Sequence, residues 1–415
     1  MKSPILVGLL ILIALSPIPA NEWPRFRGIN GSGVNENAEI PVTWTEEEFL
    51  FDVELPGIGH GSPVVYGNRV FLLCADEKTF ERMPVCLDAT TGELLWKDKV
   101  ETGKFKGHRF NSPASNTPAA DGEQVYFCWG TKEELSVVAY SHDGEERWSK
   151  NLGPVVGGHG FGASPAVYGD LVVINNDQDK GNGSLIALDT VSGDVKWKID
   201  RKSERLSYST PCEVVIDGKS ILIFTNWQHG FTSVDLESGE VLDELATFDL
   251  TTNERAISSP IVHGDLVIGT CGFTANPKHC VAVRVRGDGK LEEVWRIERS
   301  VPHIPSPLLV GDLVFLWDDK GILTCVDPQT GEEYYRERVP TRGTSYGSPV
   351  SDGKTIFNVD DGGNVHAVAV SRGFKVLGMS ALKELSRSSP AIANGNLYLR
   401  TFTRLIAVRG KSVTG

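Results

Sequence analysis

Beyond residue 20, short apolar runs broken by Gly, Asn and Asp alternate along almost the whole chain. The clearest stretch runs from Ser164 to Trp197, SPAVYGDLVVINNDQDKGNGSLIALDTVSGDVKW. Ala166-Val167, Leu171 to Ile174, Leu185 to Leu188 and Val195 to Trp197 are brief and rich in β-branched and aromatic residues, which predicts four strands and no helix. Gly169-Asp170 and Ser192-Gly193 stand where tight turns must reverse the chain, and Asn175 to Ser184 forms a longer hairpin tip. Pro165 cannot donate to a ladder, so it belongs at a strand's first residue. The unit predicted is a four-stranded antiparallel meander.

The same parts recur with starts at Ser62, Thr117, Ser164, Thr210, Ser259, Ser306, Ser348 and Ser389, 41 to 55 residues apart. A sheet of this size repeated at that spacing must bury both faces against neighbouring copies, which is how propeller blades are built. The fold class expected is therefore all-β, an eight-bladed β-propeller of four-stranded antiparallel sheets. The last copy, SPAIANGNLYLRTFTRLIAVRG, supplies only three strands. Phe49 to Leu55 has the right length and pattern to be its outer strand, closing the ring and removing two exposed edges.

Residues 1–20 carry one Lys, an apolar run from Ile5 to Leu15 and a small residue, Ala20, which reads as a signal peptide. The expected organisation is this leader, an extension over 21–48 packing on the propeller, the propeller over 49–410, and a loose tail over 411–415. Trp23, Phe26 and Trp44 are the expected anchors of the extension. The mature chain is expected to be exported, periplasmic or extracellular, monomeric and not inserted in a membrane. A net charge of −13, from 41 basic and 54 acidic residues, disfavours nucleic acid as a partner. The seven cysteines show no metal-ligand spacing. Cys74 with Cys86, and Cys271 with Cys280, could form cross-strand pairs; the other reading is buried free thiols.

The copies C-L-D-A-T-T-G-E-L-L-W (Cys86 to Trp96), A-L-D-T-V-S-G-D-V-K-W (Ala187 to Trp197) and C-V-D-P-Q-T-G-E-E-Y-Y (Cys325 to Tyr335) resemble the pyrroloquinoline-quinone-type β-propeller repeat family. The W-P-R-F-R-G entry and the Gly57 to Val65 junction are similar to exported bacterial members of planctomycete type. The resemblance implies the fold; for activity it implies either a quinone- and calcium-dependent dehydrogenase or a non-enzymatic scaffold such as the outer-membrane assembly lipoprotein. Dehydrogenases of the family carry a vicinal disulfide, calcium-binding carboxylates and often C-x-x-C-H. The chain has neither adjacent cysteines nor C-x-x-C-H. Asp318-Asp319 and Asp360-Asp361 read as solvated turn carboxylates, and Asp177-x-Asp179 as a weak calcium-loop pattern lacking its closing Glu.

Loops entering each Ser-Pro converge on the mouth of the central channel. They carry His60, His108, Arg109, Asn111, His159, Arg205, Tyr208, Arg255, His303, Tyr346 and Arg387. Two readings stand: a site for an anionic or carbohydrate-like ligand, or polar loops that bond their own backbone and channel water. The function expected is a non-catalytic binding or scaffolding propeller with no cofactor and an unknown protein or small-molecule partner. The alternatives are a dehydrogenase using pyrroloquinoline quinone and calcium, and a carbohydrate binder using Trp227, His229 and the mouth aromatics.

Overall fold

The computed structural model describes residues 21–103, 107–251, 254–273 and 278–413. The expected leader lies outside the described residues. Eight four-stranded antiparallel sheets form the body of the chain. In the third blade the strands are Ala166–Tyr168, Leu171–Asn176, Gly183–Asp189 and Val195–Arg201. Each sheet buries its faces against both neighbours; Val173 and Ala187 of blade three, for example, pack with Leu222 and Phe224 of blade four.

The ring is closed by the early strand the pattern predicts. Phe49–Glu54 pairs antiparallel with Arg404–Val408, with Phe51 opposite Ala407 and Val53 opposite Leu405. Lys411 and Ser412, expected in a loose tail, instead pair with Glu39 and Ala38. The correction has a simple cause: the extension already lies alongside and offers a strand edge. Among the described residues no helix is long and apolar enough to cross a membrane.

The repeat residues work at the outer rim. Asp189 accepts the Val191 and Ser192 N–H groups at 3.0 and 2.8 Å, fixing the turn that Gly193 completes at φ 71°. A Cβ on Gly193 would come within 2.6 Å of the Trp148 ring of the preceding blade. Trp148 also donates its indole N–H to the Thr190 carbonyl at 2.8 Å. Trp96, Trp197 and Trp295 bond the next blade in the same way. Asp243, which replaces Trp in its copy, reaches the Leu291 N–H of the next blade at 2.9 Å.

All seven cysteines are buried and free. Cys74 lies opposite Met83 and Cys86 opposite Phe71, while Cys271 faces His279 and Cys280 faces Thr270, so neither cross-strand pair forms.

Candidate functional site

The Ser/Thr that opens each copy does more than start a strand. Its hydroxyl accepts the N–H of the equivalent residue one blade earlier: Ser62 to Thr117, Thr117 to Ser164, Thr210 to Ser259, Ser259 to Ser306, Ser306 to Ser348, Ser348 to Ser389, and Ser389 back to Ser62, at 2.8–3.2 Å. Seven links of a circle are thus made around the channel. The inner strands would otherwise leave these amides unpaired.

One end of the channel is crossed by the extension. Trp23 is fully buried and exchanges both backbone hydrogen bonds with Val65 of blade one. Arg25 donates to the Tyr168 hydroxyl at 2.6 Å and the Pro211 carbonyl at 2.9 Å, joining blades three and four. Asn30 exchanges two bonds with Glu213, and Asn35 bonds the Ile392 carbonyl of blade eight. The strap therefore spans the ring from side to side. Between its two buried arginines, Phe26 faces into the space enclosed.

That space is a cavity of about 470 Å³. His60, His108, Arg109, His159, Tyr208, Arg255, His303, Tyr346 and Arg387 line it, as do Asn111, Phe26, Phe110, Phe273 and most of the hydroxyl ring. Burial lowers the His159 pKa and the charge of Arg205 adds to this, yet Arg205 is not among the residues lining the cavity; the Ser203 hydroxyl donates to its carbonyl at 2.6 Å in a local turn. Trp227 and His229 are not part of it either. Trp227 packs on the core between blades four and five, and His229 bonds Glu244 at a hairpin tip.

Residues 107–116 arch across the mouth. His108 and Asn111 both bond the His159 carbonyl, and the His108 ring stacks on that of His159 with centroids 5.3 Å apart. Phe110 reaches Tyr346, before blade seven, at 5.3 Å. Arg109 and Arg387 lie against the same Phe110 ring, 4.6 and 4.8 Å from its centroid. A second cavity of about 350 Å³ adjoins the first, sharing His60, His108, Arg109, Asn111 and Arg387 and extending to Phe80, Arg82 and Phe402.

The turn carboxylates are not solvated. Asp318, Asp319 and Asp360 are buried because their hairpin tips fold back onto the junction loops. Asp319 accepts the His303 and Ile304 N–H groups at 3.0 Å and pairs with Lys278 at 2.5 Å, so it holds one wall of the cavity. Asp361 holds Thr344 in the same manner. Burial alone would push the Asp360 carboxyl up, but hydrogen bonds from His366, Asn364 and Thr341 outweigh it and hold it below the ordinary carboxylate range. Asp177 and Asp179, the weak calcium pattern, are instead neutralised by Arg201 at 3.0 Å and Arg255 at 3.2 Å.

Burial, reinforced by the charges of Arg387 and Arg400, pushes His60 down to about 3. Burial likewise brings His303 down to about 4; Asp319 opposes this, and Lys278 and Arg255 reinforce it. Both imidazoles are therefore neutral near pH 7, and His60 Nδ1 and both nitrogens of His303 have no protein partner.

A family model described as "Outer membrane protein assembly factor BamB" matches residues 82–337, more than half of the chain. The chain belongs to the BamB family. Outer membrane protein assembly factor BamB of Burkholderia pseudomallei (strain K96243) is 21% identical over 382 residues, covering 89% of this chain and 91% of that protein. The crystal structure of BamB from Moraxella catarrhalis superposes with a TM-score of 0.63 at 14% identity, over 88% of this chain and 98% of that one. Quinohemoprotein alcohol dehydrogenase from Comamonas testosteroni gives 0.65 at 12% identity, over 95% and 82%. Both likenesses concern the fold, which BamB proteins share with dehydrogenases, so the mouth residues have to carry the functional argument.

Proposed function

We propose that this chain is an exported, non-catalytic binding or scaffolding propeller that holds a ligand or a segment of a partner protein at the channel mouth. The observation that carries this reading is the convergence of ten separately predicted polar and aromatic residues on one cavity closed at its far side by the strap. Membership of the BamB family, whose named relatives are outer membrane protein assembly factors, supports a protein partner and an extracytoplasmic location.

The dehydrogenase reading fits this wall poorly. Calcium needs six or more oxygen ligands. The carboxylate on the cavity wall, Asp319, has both oxygens engaged by Lys278 and two backbone N–H groups. Incubation with pyrroloquinoline quinone and calcium is the direct comparison; tight stoichiometric binding with alcohol-dependent dye reduction would replace the scaffold reading.

The scaffold reading is tested by placing a photo-reactive residue at Tyr346 in the mouth or at Val195 on the outer rim, in cells that export the chain. A discrete adduct is expected from position 346 and none from position 195. Adducts from the rim alone would place the partner elsewhere.

A further inference from the structure

The chemistry of the cup narrows what it takes. Six of its wall hydroxyls, those of Ser62, Thr117, Ser164, Ser306, Ser348 and Ser389, each accept a backbone N–H from a neighbouring blade. Among the described residues none of the six passes its own proton to a protein acceptor, so each retains an O–H to give.

The cations above them are similarly unspent. Arg109 and Arg387 share the Phe110 ring, and neither has a carboxylate partner among the described residues. Arg255 is committed to Asp179, and Asp319 to Lys278. The wall thus carries free O–H groups and, among the described residues, two guanidinium charges with no carboxylate partner. A neutral polyol could meet the hydroxyls, which both give and accept, but it would leave the two guanidinium charges without a counter-charge. An ionised acid brings acceptor oxygens and the missing negative charge together.

We propose that the cup binds a carboxylate-bearing ligand, with its oxygens taken by the hydroxyl ring and the Arg387 guanidinium and its body against Phe110 and Tyr346. This rests on the mouth being the binding site. Arg387 also helps keep His60 uncharged, and an anion in the cup would offset it. The carboxylate could belong to a free small acid or to an acidic side chain of a peptide. The adjoining cavity toward Phe80 and Arg82 gives a longer chain somewhere to run.

Calorimetric titration of the purified chain separates the cases. The probes are succinate, a glycine-rich hexapeptide with acetylated and amidated ends bearing one Asp, its Asn counterpart, and maltotriose. The Asp peptide or succinate should bind. The Asn peptide should be about tenfold weaker or worse, as expected when a charge-assisted bond is lost. Arg387→Ala should impose a similar loss with its melting curve unchanged, and Arg109→Ala, at an exposed position, should weaken binding without risk to folding. Preference for the Asp peptide over succinate would assign the carboxylate to a peptide, and the reverse to a free acid. Equal affinity for the Asp and Asn peptides, maltotriose binding alone, or no binding by any probe would overturn the carboxylate assignment. Absence of any position-346 adduct from the chain with Arg387 intact would overturn the mouth reading itself, so the two failures are distinguishable.

Discussion

The outer rim and the channel mouth are built from the same eight copies, yet their side chains behave oppositely. At the rim, Asp, Gly and Trp recur and each group finds its partner in the fold: Asp189 caps its turn, and Trp148 closes on Gly193 and the Thr190 carbonyl. At the mouth the copies diverge, with His60, Tyr208, Ile257, Ile304, Tyr346 and Arg387 among the residues two places before a start, and His60, His303 and Arg387 end with unpartnered nitrogens. Repetition here marks packing. Several of the mouth residues that differ from copy to copy, His60, His303 and Arg387, keep nitrogens without a protein partner, and a buried unsatisfied group is costly to keep without a use.

The contrast can be broken most forcefully at the rim. Trp197→Ala empties a nearly buried site between blades three and four and strands the Leu236 carbonyl. A loss of about 3–5 kcal/mol is expected by denaturant titration; a loss below ~1 kcal/mol would mean the blades are not held by these plugs. Ser306→Ala removes one link of the hydroxyl circle and leaves the buried Ser259 N–H unpaired. It should cost about 1–3 kcal/mol, and no cost would show the circle to be incidental.

The mouth histidines predict a pH response. Their folded pKa values lie below the ordinary value of 6.5, at about 3 for His60 and about 4 for His303. The unfolded chain therefore binds more protons below pH 6.5. Stability from these groups is present above that pH and is lost as it falls toward 4, by up to about 1.4 kcal/mol per unit for each histidine. His303→Asn should flatten the acid side of the melting-temperature profile; an unchanged slope would place the proton uptake elsewhere.

Much of the fold is legible in the chain because a strand period of two, punctuated by Gly-Asp turns, recurs often enough to expose its own missing member. The three-strand final copy called for Phe49 to Leu55, and Phe49–Glu54 pairs there. The hydroxyl circle was not legible, since it joins residues 41 to 55 apart, and Ser389 with Ser62 across 327, through contacts that only a closed ring creates. The burial of Asp319 and Asp360 was hidden for a related reason: a hairpin tip looks solvated until the loop it folds onto is known. Of the mouth residues, Arg205 illustrates the limit of reading by position, because it is not among the lining residues although its charge acts on the wall residue His159.

The central claim, that the mouth binds while the rim holds the fold, is tested most directly by Arg387→Ala in the chain carrying the photo-reactive residue at position 346. Melting temperature and adduct yield are read on the same sample. The account predicts a melting temperature within about 2 °C of the parent and loss of most of the adduct. Full adduct yield from a stably folded Arg387→Ala chain would contradict it.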